Sequence, residues 1–295
     1  MVIQKRTARQ FTMEAIKIDL NDYEYAGEGA NGQSFNHRTD KSIMMKLYNK
    51  TAPYEITENE LRKAKLVYDA GIPTPRPGEF ITDGNGRYGI RFERIVGKKS
   101  FARAVSDNPE DVENLARRFA LMCRELHSRE VDTGTFQDIK EVDRQLLERN
   151  TFFTEEEKKD ILRFLESVPD RRTAIHGDLQ YGNAIMVGDR QYFIDLGDFA
   201  YGHPYFDLGM VMLTTKYEDE EFLKEAFHLT PDVAGQFWHF FVKGYWGEDA
   251  DEEEIERILL PFTGLKVLII ERDTQMFFPR YHELLKGISL FQDIK

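Results

Sequence analysis

Along the chain, apolar and polar positions first alternate and later recur with helical spacing. Ile16, Ile18 and Leu20 alternate with polar residues, the period-two signature of a strand with one buried face. Residues 23–26 continue in the same manner into Gly27-Glu28-Gly29-Ala30-Asn31-Gly32, and residues 33–38 lead out of it. Thr39-Asp40-Lys41 predicts a turn, residues 42–48 a further strand and residues 49–53 a break. Over 58–70 the period becomes helical: Leu61, Ala64, Val67 and Tyr68 share one side, and Gly71 is a natural stop. Pro73, Pro75 and Pro77 hold an extended connector. Residues 80–82 and 88–95 then flank Asp83-Gly84-Asn85-Gly86, a hairpin signal.

After Phe92-Glu93-Arg94-Ile95-Val96-Gly97 the pattern changes character. Residues 110–128 carry Leu115, Phe119, Met122 and Leu126 on one helical face. Helices over 138–149 and 155–167 follow; the second opens with Thr154 and then Glu155-Glu156-Glu157, a capping hydroxyl followed by acids that suit a helix start. Between 184 and 195 two short strand-like runs flank Gly188-Asp189, which predicts a hairpin. The remainder reads as helices over about 205–216, 218–227, 231–246, 252–260 and from 264 to near the end. Strands with one helix, followed by helices, predict an α+β chain of two lobes. An N-terminal antiparallel sheet with one helix is expected over 1–97 and a mostly helical lobe over 98–295.

Composition narrows the partners. With 52 acidic and 40 basic residues the formal charge is −12, which argues against a nucleic acid or an anionic membrane as partner. A cationic small molecule is compatible with that balance, although an acidic surface serves solubility first. The single Cys123 allows no intrachain disulfide and fits a cytoplasmic location. Its neighbours Phe119, Met122 and Leu126 make it a packing residue. Residues 1–10 are basic and polar without the apolar core of a secretory signal. The longest apolar runs, near 208–213 and 265–270, are far short of a membrane span.

The chemistry concentrates in His176-Gly177-Asp178-Leu179-Gln180-Tyr181-Gly182-Asn183 and Ile194-Asp195-Leu196-Gly197-Asp198. An Asp is followed five residues later by an amide, and the amide twelve residues later by a second Asp. The hairpin between them brings Asn183 and Asp195 to one end, where an amide oxygen and a carboxylate are hard ligands for Mg²⁺. Asp178, free of the metal, is the candidate base for a substrate hydroxyl. His176 is expected to hold the loop, and Asp198 is open between a second metal ligand, a loop brace and a solvated acid. Gly27-x-Gly29-x-x-Gly32 is followed by a turn and a strand, not by a helix, which favours the glycine hairpin that lies over ATP phosphates. Lys46 stands in an apolar strand fourteen residues after Gly32 and needs a partner or a ligand. Glu60 shares the helix face of Ala64 and Val67 and is the expected partner, with Glu58 and Glu55 as competitors. Glu93 and Ile95, where the strand leads into the second lobe, would offer main-chain groups to an adenine edge. ATP is the expected donor, and GTP stays open beside it.

With these residues in place the chain resembles the aminoglycoside phosphotransferase and choline kinase superfamily from about residue 20 to 215. The motif His176-Gly177-Asp178 to Asn183, then Ile194-Asp195, carries the resemblance with Gly202-x-Pro204-x-x-Asp207-Leu208 and Ala70-Gly71-Ile72-Pro73-Thr74-Pro75. The resemblance implies a protein-kinase-like two-lobe fold, a catalytic base at Asp178, metal ligands at Asn183 and Asp195, and a phosphate-contacting Lys46 held by Glu60. It also implies that Asp207 is a structural acid bracing the catalytic loop. Members often carry His-Pro or a similar pair where this chain has Gln180-Tyr181, side chains that would then lie near the acceptor. The activity implied is ATP- and Mg²⁺-dependent transfer of a γ-phosphate to a hydroxyl of a small molecule, aminoglycoside-, choline- or sugar-like. The rival readings are a nucleotide-binding regulator without turnover, which would lack one of Asp178, Asn183, Asp195 or Lys46, and a kinase acting on protein. Pro204 stands only nine positions after Asp195, which leaves no activation segment of useful length. Trp238, Phe240, Phe241, Tyr245, Trp246, Phe277 and Phe278 are expected to be core ahead of a box for a cation.

Overall fold

The computed structural model describes residues 13–29, 32–286 and 288, and the chain divides into a first unit ending at Val96 and a second beginning at Gly97. The first unit contains β1 (Ile16–Lys17), β2 (Tyr23–Gly29), β3 (Gly32–His37), β4 (Ile43–Tyr48), α1 (Tyr54–Asp69), β5 (Pro77–Thr82) and β6 (Tyr88–Glu93). Its sheet has the order β1-β5-β6-β4-β3-β2. Every pairing is antiparallel except that of β1 with β5. β4 lies inside this sheet, and its alternation sets the two faces. Met45 and Leu47 are fully buried on one side, where Met45 packs with Ile18, Tyr23 and Ile81. Tyr48 on the other side packs with Leu61 of α1, Phe80 and Ile90. Lys46 has the parity of Tyr48, so it faces α1.

The ends of α1 separate what periodicity can see from what it cannot. The helix begins at Tyr54, four residues before its apolar stripe suggests. In that first turn Ile56 is 57% exposed while Thr57 and Glu58 are buried, so the polarity is inverted and the pattern is silent. Its C-terminus follows the expected stop: Gly71 has φ 75°, its N–H donates to the Tyr68 carbonyl at 2.9 Å, and the Ile72 N–H donates to that of Val67 at 3.3 Å. These are the two hydrogen bonds of a Schellman cap.

The second unit contains β7 (Lys99–Ser100), α2 (Phe101–Asp107), α3 (Val112–His127), α4 (Ile139–Arg149), α5 (Glu155–Ser167), β8 (Thr173–Ile175), β9 (Ala184–Val187), β10 (Arg190–Phe193) and β11 (Ala200–Gly202). It continues with α6 (Tyr205–Met212), α7 (Glu220–Phe222), α8 (Pro231–Trp246), α9 (Glu252–Leu265), α10 (Val267–Thr274) and α11 (Pro279–Leu285). Its strands form two small sheets, β10-β9-β7 and β11-β8. The elements without a sequence signal, β7, α2, β8 and β11, are too short for a period to register; α2 is instead started by Ser100, whose side chain accepts the Arg103 N–H. α6 and α7 each run on into a π-helical turn, over Leu213–Tyr217 and Leu223–Phe227.

Two helix contacts make the core of this unit. α3 packs on α8, with Phe119 5.8 Å from Phe237 and 5.6 Å from Phe241, ring centre to ring centre. Trp238, Phe237 and Phe241 are fully buried, so Trp238 and Phe241 are core, as expected, whereas Phe277 is 49% exposed and is not. α6 meets α9 at Gly209, where an added Cβ would fall 2.7 Å from the Phe262 carbonyl carbon, and Thr263 Oγ1 donates to the Gly209 carbonyl at 3.1 Å. Among the described residues no helix is long and apolar enough to cross a membrane. Gly209→Ala should therefore force the two helices apart and cost about 1–3 kcal/mol. Both tryptophans, Trp238 and Trp246, lie in the second unit, so urea unfolding followed by their fluorescence reads this directly; an unshifted midpoint would contradict a tight contact.

Candidate active site

The catalytic-type loop leaves β8 at Ile175 and is tied down at once. The His176 N–H donates to Asp207 Oδ2 at 2.7 Å and the Gly177 N–H to Oδ1 at 2.8 Å. His127 at the end of α3 completes the set, with Nε2 3.1 Å from Asp207 Oδ2 and Nδ1 2.8 Å from the Tyr245 hydroxyl. Asp207 is fully buried in the first turn of α6. Burial alone would raise its carboxyl, but the His127 hydrogen bond and the neighbouring positive groups hold it below the usual carboxylate range. The His176 ring is buried against Phe193, and its Nε2–H donates to the Ile194 carbonyl at 3.1 Å. Burial pushes this imidazole below its ordinary pKa, in keeping with a neutral ring that holds the loop.

The same loop aims Asp178 and Asn183. The Asn183 Nδ2 donates to the Asp178 carbonyl at 3.0 Å and to its Oδ2 at 2.8 Å. With its N–H groups spent on Asp178, the amide presents its oxygen away from that residue. The Ile194 N–H donates to the Asn183 carbonyl at 2.9 Å, and Phe193 pairs with Ala184 in the β9–β10 hairpin. Asn183 and Asp195 thus flank the open end of one hairpin, as predicted. Asp195 adopts a left-handed backbone, φ 63° and ψ 59°, a strained state for a residue with a Cβ and one that concentrates at functional sites. An amide oxygen and a carboxylate at this point are the hard donors that fit Mg²⁺. The Asp178 carboxyl is pushed up to about 7, first by burial and then by the Asp195 and Asp198 carboxylates, with Lys266 and Asn183 pulling the other way.

Three neighbouring residues, whose roles the sequence left open, are bound within the protein. Tyr181 does not face an acceptor. It is fully buried, its hydroxyl donates to the Thr214 carbonyl at 3.0 Å, and its ring packs on Phe227 and Phe237. The π turn at Leu213–Tyr217 explains the bond, because a widened helix frees a carbonyl that a phenol can satisfy. Gln180 closes its own loop, with Oε1 accepting the Gly182 N–H at 2.6 Å. Asp198 is paired with Arg272, which lies 2.8 and 3.2 Å from its two carboxyl oxygens and also holds Asp273. Of the expectations for Asp198, this pairing matches the loop brace. Neither His127 nor Arg272 carried a signal in sequence: each stands alone at a helix end, far along the chain from its partner.

In the first unit β2 and β3 form the glycine hairpin, with Gly29 opposite Gly32 and a bulge between Tyr25 and Gly27. The two residues at its tip, Ala30 and Asn31, lie outside the described residues. The glycines serve different needs. At Gly32 an added Cβ would fall 2.4 Å from the Leu47 carbonyl oxygen, whereas at Gly27 it would meet nothing within 4 Å, so Gly27 leaves open space at the strand. Lys46 Nζ stands 3.5 Å from Glu60 Oε1, with both side chains largely buried. Glu58 is engaged elsewhere: its Oε1 accepts the Met13 N–H at 2.5 Å, and its Oε2 lies 3.7 Å from Arg62. At the end of β6 the Glu93 N–H is spent on the Arg76 carbonyl at 2.9 Å and the Arg94 N–H on that of Ser42 at 2.7 Å. The Glu93 N–H is therefore not available to a ligand.

Comparison with known proteins gives a consistent fold. The model of the phosphotransferase enzyme family (APH) matches residues 22–234. A comparison with curated proteins returned no match. Among solved structures, the chain is similar to a thermostable mutant of aminoglycoside phosphotransferase APH(4)-Ia in ternary complex with ADP and hygromycin B, at 12% identity, 91% of this chain, 95% of that one and a TM-score of 0.59. It is also similar to amicoumacin kinase hAmiN in complex with AMP-PNP, Ca²⁺ and Ami, at 16% identity, 92% and 88% coverage and a TM-score of 0.55. A choline/ethanolamine kinase family protein from Mesorhizobium loti follows at 15% identity, 90% and 84% coverage and a TM-score of 0.51. At these identities the likeness establishes the protein-kinase-like α+β fold.

The Asp207 cluster is testable without any substrate. Asp207→Ala leaves two buried N–H groups and His127 without their acceptor, at an expected cost of about 3–5 kcal/mol. Asp207→Asn, which keeps one acceptor oxygen, should fall between that and the wild type. Thermal unfolding that ranked the three proteins equally would rule out the carboxylate as the brace.

Proposed function

The chain belongs to the phosphotransferase enzyme family, and from that premise we propose that it moves the γ-phosphate of ATP, with Mg²⁺, to a hydroxyl group of a small molecule. The observation that carries the reading is the bond pair from Asn183 to Asp178, at 3.0 and 2.8 Å. It aims a half-buried carboxylate and orients an amide oxygen in one step, beside Asp195. Asp178 accepts the proton of the acceptor hydroxyl as that oxygen bonds to phosphorus and the bond to the ADP oxygen breaks. Its carboxyl, pushed up to about 7, is suited to hold that proton near neutral pH. Asn183 and Asp195 would hold the metal, which when bound supplies positive charge to the phosphate oxygens.

In the first unit, Lys46 held by Glu60 places a fixed cation for the α- and β-phosphates. The open space at Gly27 suits close approach of a phosphate to backbone amides, with Gly29 and Gly32 shaping the hairpin. The Glu93 carbonyl and the Ile95 N–H are the acceptor and donor for a purine edge, which makes the first unit the nucleotide-binding part and the second the catalytic and acceptor-binding part. Two readings compete less well. A silent nucleotide-binding regulator would lack one of Asp178, Asn183, Asp195 or Lys46, and all four stand in place. A protein kinase needs a substrate-docking segment after Asp195, and β11 and α6 follow directly. The acidic balance and the absence of a disulfide pair fit a cytoplasmic enzyme for a small, hydroxylated acceptor, with cations among the candidates.

The test is an ATP-consumption screen over aminoglycosides, choline-like amines and sugars, with GTP as a parallel donor and Asp178→Asn beside the wild type. One acceptor class should support turnover, and the variant should lose about 10²–10⁴-fold of it. Equal turnover in both proteins would dismiss Asp178 as the base. Since burial and the neighbouring carboxylates raise its pKa, the base is protonated and inactive on the acid side: kcat/KM should climb as pH rises through the ordinary carboxylate range and above it, and then level off. For Lys46→Met, losing a charge-assisted contact of about 1.5–3 kcal/mol predicts a KM for ATP about 10–100-fold higher. An unchanged KM would separate Lys46 from the nucleotide.

A further inference from the structure

Gly177, the residue before the proposed base, is fixed on three sides. Its N–H is held by Asp207 Oδ1 at 2.8 Å. Its backbone has φ 90°, and an added Cβ would fall 2.2 Å from the Asp198 carbonyl oxygen, so the strand of chain after Asp195 presses directly on it. Its carbonyl accepts a hydrogen bond from Lys266 Nζ at 3.1 Å. Lys266 is only 3% exposed and sits at the junction of α9 and α10. That junction is placed by the α6–α9 contact, where the Thr263 hydroxyl bonds Gly209 at 3.1 Å. One helix pair thus delivers Asp207 to one end of this residue and Lys266 to the other. Nothing in the motifs around Asp178 points to a residue almost ninety positions away.

We infer that Lys266 is a positioning residue: by clamping the Gly177 carbonyl it fixes the peptide that leads into Asp178 and so the aim of the Asp178 side chain. The inference rests on the phosphotransfer reading for its kinetic consequence, not for the clamp itself. A buried ammonium spent on a main-chain carbonyl is a costly choice unless the carbonyl must be held. Asp143 of α4, 4% exposed, lies within electrostatic reach; burial drives its carboxyl toward the neutral form, and Lys266 is the chief cation acting against that, with Arg272 behind. In Lys266→Met, Asp143 is able to take up a proton; the variant also removes a cation that acts on Asp178, so its kcat is compared with the wild type on the alkaline plateau of each pH profile.

The experiment uses the full chain, Lys266→Met and Lys266→Arg, with hydrogen exchange over 176–183, calorimetric binding of Mg-ATP, and kcat and KM with the acceptor found by the screen. In Lys266→Met, kcat should drop about 30–100-fold, the scale of a misplacement near 1 Å. Its KM for Mg-ATP should stay within about threefold, since the clamp leaves nucleotide contacts alone. Exchange over 176–183 should quicken at least about tenfold while α3 and α8 keep their protection, as a local opening would give. Lys266→Arg, which retains a cationic donor, should restore most of both losses. A lower melting temperature with kcat and exchange unchanged would make Lys266 a structural cation and overturn the proposal. If the wild type itself neither binds Mg-ATP nor turns over, the phosphotransfer reading fails, and the exchange data still decide the clamp.

Discussion

One buried carboxylate governs the geometry of the second unit. Asp207 accepts from two consecutive backbone N–H groups, at 2.7 and 2.8 Å, and faces His127 on its remaining side. A charge in that position must be fully hydrogen-bonded or it unfolds its surroundings. The requirement runs in both directions. The loop at 176–177 has to present its N–H groups to one point, which imposes the positive φ at Gly177; and α6 has to start where its first turn reaches that loop, which imposes the glycine at 209 against α9. The direction of Asp178, one residue on, is set by this arrangement before Asn183 refines it.

The strain stored nearby belongs to the same arrangement. Asp195 carries a left-handed backbone that a side chain with a Cβ adopts only when its surroundings enforce it. Those surroundings are the hairpin register, the His176 ring bonded to the Ile194 carbonyl at 3.1 Å, and Asp198 anchored by Arg272 at 2.8 and 3.2 Å. The loop therefore has fixed points just before and just after Asp195. Such rigidity leaves little ordering to be done for any ligand that binds at Asn183 and Asp195.

What the sequence made legible was local, and what it withheld was long-range. The Schellman cap at Gly71, the box at Thr154 and Glu157, with the Glu157 carboxylate accepting the Thr154 N–H at 2.8 Å, and the hairpin at 184–195 all follow from residues a few positions apart. So does the motif that brings Asp178 and Asn183 together. The choice between Glu58 and Glu60 could not be made from helix phase alone, since both positions turn inward; the structure separates them by giving Glu58 to Met13 and Arg62. The start of α1 was hidden because its buried side is polar. His127, Arg272 and Lys266 were hidden for a different reason: each meets the loop only after helices far apart in sequence have packed, and no period or motif encodes that meeting.

The placement of Tyr181 has the same origin and bears on specificity. Within the motif, Gln180 and Tyr181 stand where the resembled family is expected to carry His-Pro or a similar pair, which invites the expectation that they lie near the acceptor. The structure spends both on the protein: Gln180 on the Gly182 N–H and Tyr181 on a carbonyl released by a π turn in the helix after α6. A widened turn persists only if the carbonyl it frees is answered, so the tyrosine and the π turn depend on each other. The Gln180-Tyr181 pair is thus part of the scaffold that holds the loop carrying Asp178. Whatever side chains distinguish one member of the phosphotransferase enzyme family from another are then to be sought on other elements, where the loop motif places no constraint.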